Sequence, residues 1–273
     1  MGKSDPNVQY QARVKFDARG VIGLVDLGEF AVVRVVTFTN LRPSKIISGT
    51  HTAAITQGET QEMAAEYIRI PPGQQWIATA PPDTDCYLFI VDGACAISAA
   101  DNRHRFSTQT FAVVQEGIEF TVENDSSAAA SIIKVVAPPQ ANGRGTPGFT
   151  GKLAVTQRAA APIVNLPEEK KTRIYFVDDD AIRSQRGHAM IVVYEKDTVT
   201  GLHHHPNAES MFVILEGALQ FIVNGEPVVL TPGQAVYFGL NDQHGLRVAD
   251  GASSASFLEF HIPAAYSTVR GHG

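Results

Sequence analysis

Cysteine is scarce in this chain. Cys86 and Cys95 are the two among 273 residues, and a pair in one local segment makes no disulfide framework. Basic charge is not in excess either: 22 Lys and Arg stand against 28 Asp and Glu, a net charge of −6. A nucleic-acid footprint would need a clustered basic face. No apolar run approaches the ~18–20 residues of a membrane helix. The start, Met1-Gly2-Lys3-Ser4-Asp5-Pro6, carries no apolar core of a secretory leader. Long amphipathic helical periods are missing too. These absences lead to the expectation of a soluble protein of a reducing cytoplasm that engages neither nucleic acid nor membrane.

What is present is strand-like. Phe30–Val36, Tyr87–Val91, Ser131–Val136, Ile191–Tyr194 and Phe257–Phe260 are short runs of β-branched and aromatic residues. Turn residues bound them: Pro71-Pro72-Gly73, Asp92-Gly93, Asn224-Gly225 and Thr231-Pro232-Gly233. Glu59–Tyr67 could make one short helix, but it runs straight into Ile68-Arg69-Ile70 and is read as strand or irregular. An all-β barrel or sandwich fits this regular spacing. A hydrophobic content of 44% suffices for two small domains or one large one.

The stretch richest in chemistry is Gly201-Leu202-His203-His204-His205-Pro206-Asn207-Ala208-Glu209. Neutral imidazole is the commonest protein ligand for transition metals. On a strand, residues two apart face the same way, so His203 and His205 can share one ion while His204 points to the opposite face. A further histidine, His244, closes the segment that begins at Pro232-Gly233.

Tyr87–Ala94 and Met211–Ala218 are similar segments at an offset of 124, from Gly93 to Gly217. Repetition of a domain-sized unit implies duplication. The boundaries expected from it are 1–137 for a first barrel, 138–172 for a linker and connecting strand, and 173–273 for a second barrel. Ala137–Gly148, rich in Pro and Gly, is the linker-like part. Moved back by 124, His203, His205 and His244 fall on Thr79, Pro81 and Phe120. None of these is an ordinary transition-metal ligand, so the metal site is expected in the second barrel alone.

Together these residues resemble the cupin motifs, arranged as in a two-barrel bicupin. Gly201, His203, His205, Glu209 and Gly217 answer the first motif; Pro232, Gly233 and His244 answer the second. The resemblance covers most of the chain, with the first barrel degenerate. It implies two jelly-roll barrels and one divalent transition metal per chain, iron(II) first, with manganese, nickel or zinc as alternatives. The implied ligands are His203, His205 and His244, with Glu209 as a fourth. The pattern departs from the family at Ser210, which stands where the carboxylate usually does, and at Gly239 and Val248. Two readings of Glu209 follow. A bulge lets it bind, or strict alternation turns it away.

A site of three neutral ligands resembles that of iron(II) cupins that cleave small chelating substrates with dioxygen. Such a dioxygenase is the first expectation. A manganese-dependent hydrolase or isomerase similar to ureidoglycine aminohydrolase, whose ligand pattern is not found here, and a non-catalytic binding cupin are the alternatives. Glu209, Tyr237 and His261 are the catalytic candidates. Gln220 and Glu259 are further candidates near the barrel mouth, while Met211, Phe212, Val213 and Phe221 read as core or pocket wall. Arg247, three residues after His244, is expected to face away and receives no role. Exposed strand edges suggest pairing of two copies into a homodimer.

Overall fold

The computed structural model describes residues 13–16, 22–25, 34–56, 60–138, 145–223 and 226–270. Its described elements are short β-strands and single turns of 3-10 helix. Asn224-Gly225, part of the Ala137–Gly148 stretch and Phe30–Val33 lie outside the described residues.

The strands form two sandwiches of antiparallel sheets. In the first half, a sheet built on Thr110–Val114, Asp85–Asp92, Ala130–Ala137 and Ala64–Ile70 faces a sheet of Asn102–Ser107, Ala94–Ala99, Glu119–Glu123 and Gln75–Thr79. In the second half, Gln234–Phe238, Glu209–Gly217, Ser254–Ile262, His188–Glu195 and Lys171–Val177 lie side by side. They face Glu226–Leu230, Leu219–Val223, His244–Val248, Val199–His204 and Val269–Arg270. These are the paired jelly-roll barrels that the duplication implies.

The central strands are buried on both faces, which is why they read as unbroken apolar runs instead of alternating ones. Phe212 and Ile214 point into the second barrel's own core, whereas Met211 and Val213 point into a core shared with the first barrel through Tyr87, Phe89 and Phe111. The first barrel's interior is filled by Ile68, Leu88, Ile97, Phe106, Phe120 and their neighbours. Phe120 stands edge-on to Trp76, with ring centroids 5.3 Å apart. Thr79 is exposed and Pro81 half-buried. In this register Phe120 pairs with Ala78, as His244 pairs with His203. Spatially, therefore, Ala78 rather than Thr79 matches His203.

Two features revise the boundaries expected from sequence. Arg34–Thr37 pairs with Gln234–Phe238 and so joins the second half's sheet, although it lies within residues 1–137. Leu153–Gln157, from the connecting stretch, pairs back onto Thr110–Val114 of the first half. The second barrel thus takes a strand from the first half of the chain, and the first barrel takes one from the connecting stretch.

The repeated glycines have a shared physical cause. Gly93 and Gly217 have φ of +83° and +70°. A Cβ there would sit 2.6 Å from the Ala129 carbonyl oxygen and 2.1 Å from the Ser254 carbonyl oxygen, respectively. Only glycine tolerates both conditions.

Candidate metal centre

The strand Val199–His204 ends at the mouth of the second barrel, and the chain turns at Pro206 into Glu209–Gly217. Alternation along Val199–His204 sends His203 inward; His205 follows just beyond the strand end. His244 comes from the partner strand, paired opposite His203. The three buried rings bring their ligating nitrogens within 4.8 Å of one another, the one such group of metal-binding side chains among the described residues. His204 is half-buried, pairs with Val269 and stands outside the group.

Each ring is oriented by a carbonyl. His203 Nδ1 donates to Gly201 O (2.9 Å), His205 Nδ1 to Ser267 O (2.9 Å) and His244 Nδ1 to Asp242 O (3.0 Å). A carbonyl can only accept, so the proton sits on Nδ1 and the lone pair on Nε2. The Nε2 atoms of His205 and His244 are buried without a hydrogen-bond partner. Burial, reinforced by the neighbouring imidazoles, lowers the pKa of His203, brings His205 to about 4 and His244 to about 3. Neutral rings with orphaned, buried lone pairs fit a transition metal, which demands deprotonated donors.

Glu209 is not among these donors. Its Oε1 accepts from Gln61 N (2.6 Å), and its Oε2 accepts from Glu62 N (2.8 Å) and Met63 N (3.2 Å) of the first half. Burial pushes its pKa up while the three amides pull it back. The expected roles of Glu209 as ligand and catalytic group are therefore corrected. The pleat turns it to the face of Met211 and Val213. Its counterpart 124 residues earlier, Asp85, makes the reciprocal contact. It accepts from Phe149 N (3.0 Å) and from the Ser184 hydroxyl, with Arg186 Nη1 at 3.6 Å.

Ser210, at the family's carboxylate position, does face the site. His261 Nε2 meets Glu259 Oε1 at 2.8 Å, and its Nδ1 lies 2.9 Å from the Ser210 hydroxyl. His261 stands 4.7 Å, centroid to centroid, from His205. Burial disfavours the Glu259 charge, but His261, His188 and Arg173 outweigh it and hold the pKa below the ordinary value.

A cavity of about 1110 Å³ opens over the site. Its walls include His203, His205, Met190, Val192, Phe212, Leu246 and Phe257, with Arg173, Glu259, His261, Tyr266 and Arg270 as the polar part. Phe221 is buried in the barrel core among Phe212 and Phe238. Tyr237 is corrected as a catalytic candidate. It lies on the face of Gln234–Phe238 that packs into the core between the barrels, while Val236 and Phe238 face the second barrel's interior. Gln220 is also turned away, accepting from Arg247 Nη2 (2.7 Å), and Arg247 in turn pairs with Asp250 (2.8 Å). The residues not singled out from sequence are Ser210's role toward His261, Arg173 and the segment that carries Tyr266 and Arg270. Arg173 alternates with Lys171 and Tyr175 on one face of its strand, with Thr172 and Ile174 between them.

A barrel of antiparallel strands that gathers three imidazoles at its mouth is a β-barrel with a candidate metal site. Residues 190–261, which contain all three histidines, match the family model described as Cupin domain. The match to the cupin domain thus falls in the second barrel. No curated protein matches the sequence. Solved structures match over nearly the whole chain. A Pseudomonas aeruginosa protein described as glyoxylate-induced is 18% identical with a TM-score of 0.67, over 91% of this chain and 93% of that one. The formate complex of Lactobacillus farciminis oxalate decarboxylase is 13% identical with a TM-score of 0.68, over 90% of each. Protein YlbA of E. coli is 11% identical with a TM-score of 0.67, over 96% and 97%. At these identities the likeness is one of fold.

Proposed function

We propose that this protein is an iron(II)-dependent dioxygenase acting on a small anionic chelating substrate. The observation that supports the reading is the donor set: three neutral imidazoles, with the motif's carboxylate candidate, Glu209, committed to backbone amides. His203, His205 and His244 would hold the ion. Bound iron(II) supplies the positive charge that holds an anionic chelate and the redox chemistry toward dioxygen. Arg173, on the cavity wall, attracts and orients an anion. Phe212, Leu246, Phe257 and Met190 exclude water from the reacting centre. His261, with Glu259 at Nε2 and Ser210 at Nδ1, can take or return a proton at the cavity wall.

That Ser210–His261–Glu259 string also favours a second reading, a hydrolase or isomerase that needs no oxygen. An oxygen electrode separates the two, using iron-reconstituted protein and a panel of β-diketones, thiols, hydroxybenzoates and oxalate. Oxygen consumed in step with substrate is expected. Turnover that proceeds unchanged under strict anaerobiosis would eliminate the dioxygenase and promote the second reading.

A further inference from the structure

We propose that the segment Pro263–Arg270 is a working part of the metal centre, and that Asn207 is the positioning residue that holds it there. This rests on the metal-site reading above.

Two of the three ligand histidines are oriented locally. The carbonyls of Gly201 and Asp242 lie two residues from His203 and His244. His205 differs, because its acceptor, Ser267 O, comes from 62 residues away. The Thr268 hydroxyl lies 3.3 Å from the same nitrogen. After the last long barrel strand ends at Ile262, the chain returns across the mouth and places these atoms. The same return stacks Tyr266 on His261 at 3.9 Å and 19°, and sets it edge-on to His205 at 5.3 Å. It ends by pairing Arg270 with His203.

Asn207 fastens the segment. Its Nδ2 donates to Ala265 O (2.7 Å), and its Oδ1 accepts from Ser267 N and Ser267 Oγ (2.8 Å each). The side chain is exposed, and all of these bonds go to the return segment. Losing them frees the carbonyl that sets the His205 tautomer. In free histidine the proton prefers Nε2, the atom needed by the metal. Outer partners of this kind are worth about 10–100-fold in metal affinity.

The test uses the full chain. Apo protein labelled with ¹⁵N-histidine should show His205 with its proton on Nδ1, and Asn207→Ala should shift it toward Nε2. Cobalt(II) titration should give at least a roughly 10-fold weaker Kd for Asn207→Ala, with the apo melting temperature unchanged. Asn207→Asp retains the acceptor for Ser267 and should recover most of the affinity. Wild-type cobalt uptake with an unaltered Asn207→Ala Kd and tautomer would overturn this inference alone. An equal loss in both variants with a lowered melting temperature would assign the effect to the fold and overturn it too. Wild-type protein that takes up no cobalt would overturn the metal-site reading, and this inference with it.

Discussion

Glu209 and His205 are four residues apart and serve different parts of the molecule. Glu209 joins the halves: three amides of residues 61–63 converge on one carboxylate, and hydrogen bonds to a charged group contribute about 1.5–3 kcal/mol each. Glu209→Ala should cost roughly 3 kcal/mol or more, a fall in melting temperature on the order of 6–12 °C, while elemental analysis still finds one ion per folded chain. His244→Ala should do the reverse, abolishing metal binding and leaving the halves joined. Full metal stoichiometry in His244→Ala would sink the ligand assignment. The same rings set a pH dependence in the apo protein. Their folded pKa values lie below the ordinary histidine value of 6.5, at about 4 for His205 and about 3 for His244. The unfolded chain takes up protons that the folded site refuses, so stability should fall as pH drops below 6.5 and go on falling toward 3. Urea unfolding of apo protein between pH 7 and pH 4.5 checks this. A His205→Gln, His244→Gln double variant should show a shallower slope.

At the scale of the element, the strands Glu209–Gly217 and Asp85–Asp92 do the same work in each half. Both are buried on two faces, both begin with a carboxylate given to the other half, and both run into a glycine at positive φ. Each glycine follows a bend where a facing backbone passes too close for a side chain. Gly217→Ala should cost roughly 2 kcal/mol or more, read as a lowered denaturation midpoint with little change in the slope. A neutral substitution would show that the backbone there relaxes freely. The alternation along Gln234–Phe238 decides the fate of Tyr237 in the same way, one residue off the inward face.

At the scale of the whole molecule, the barrels are not separable modules. Arg34–Thr37 completes the second barrel's sheet and Leu153–Gln157 extends the first's. Glu209 and Asp85 cross between the halves. Expressed alone, residues 145–273 would expose the edge of Gln234–Phe238 and leave Glu209 without its amides. This fragment should be insoluble or fail to bind metal, and co-expression with residues 1–144 should restore both properties. A soluble, metal-loaded fragment would show that the exchange of strands is dispensable.

The residues by themselves determined the β class, the duplication and the three inward histidines. Short apolar runs between turns, an exact repeat of the glycine position and the two-residue spacing of His203 and His205 are local properties, and alternation acts locally. Tertiary structure decided the rest. When both faces of a strand are apolar, as in Met211–Leu215 and Ala235–Phe238, alternation says that two faces exist but not which one lines the barrel. Tyr237 was therefore open to either side, and Glu209 waited on the amides of residues 61–63, about 147 positions away in the chain. Arg173 reaches the site from one stretch and Tyr266 with the Ser267 carbonyl from another, and only the closure of the barrel and the chain's return over its mouth bring them together.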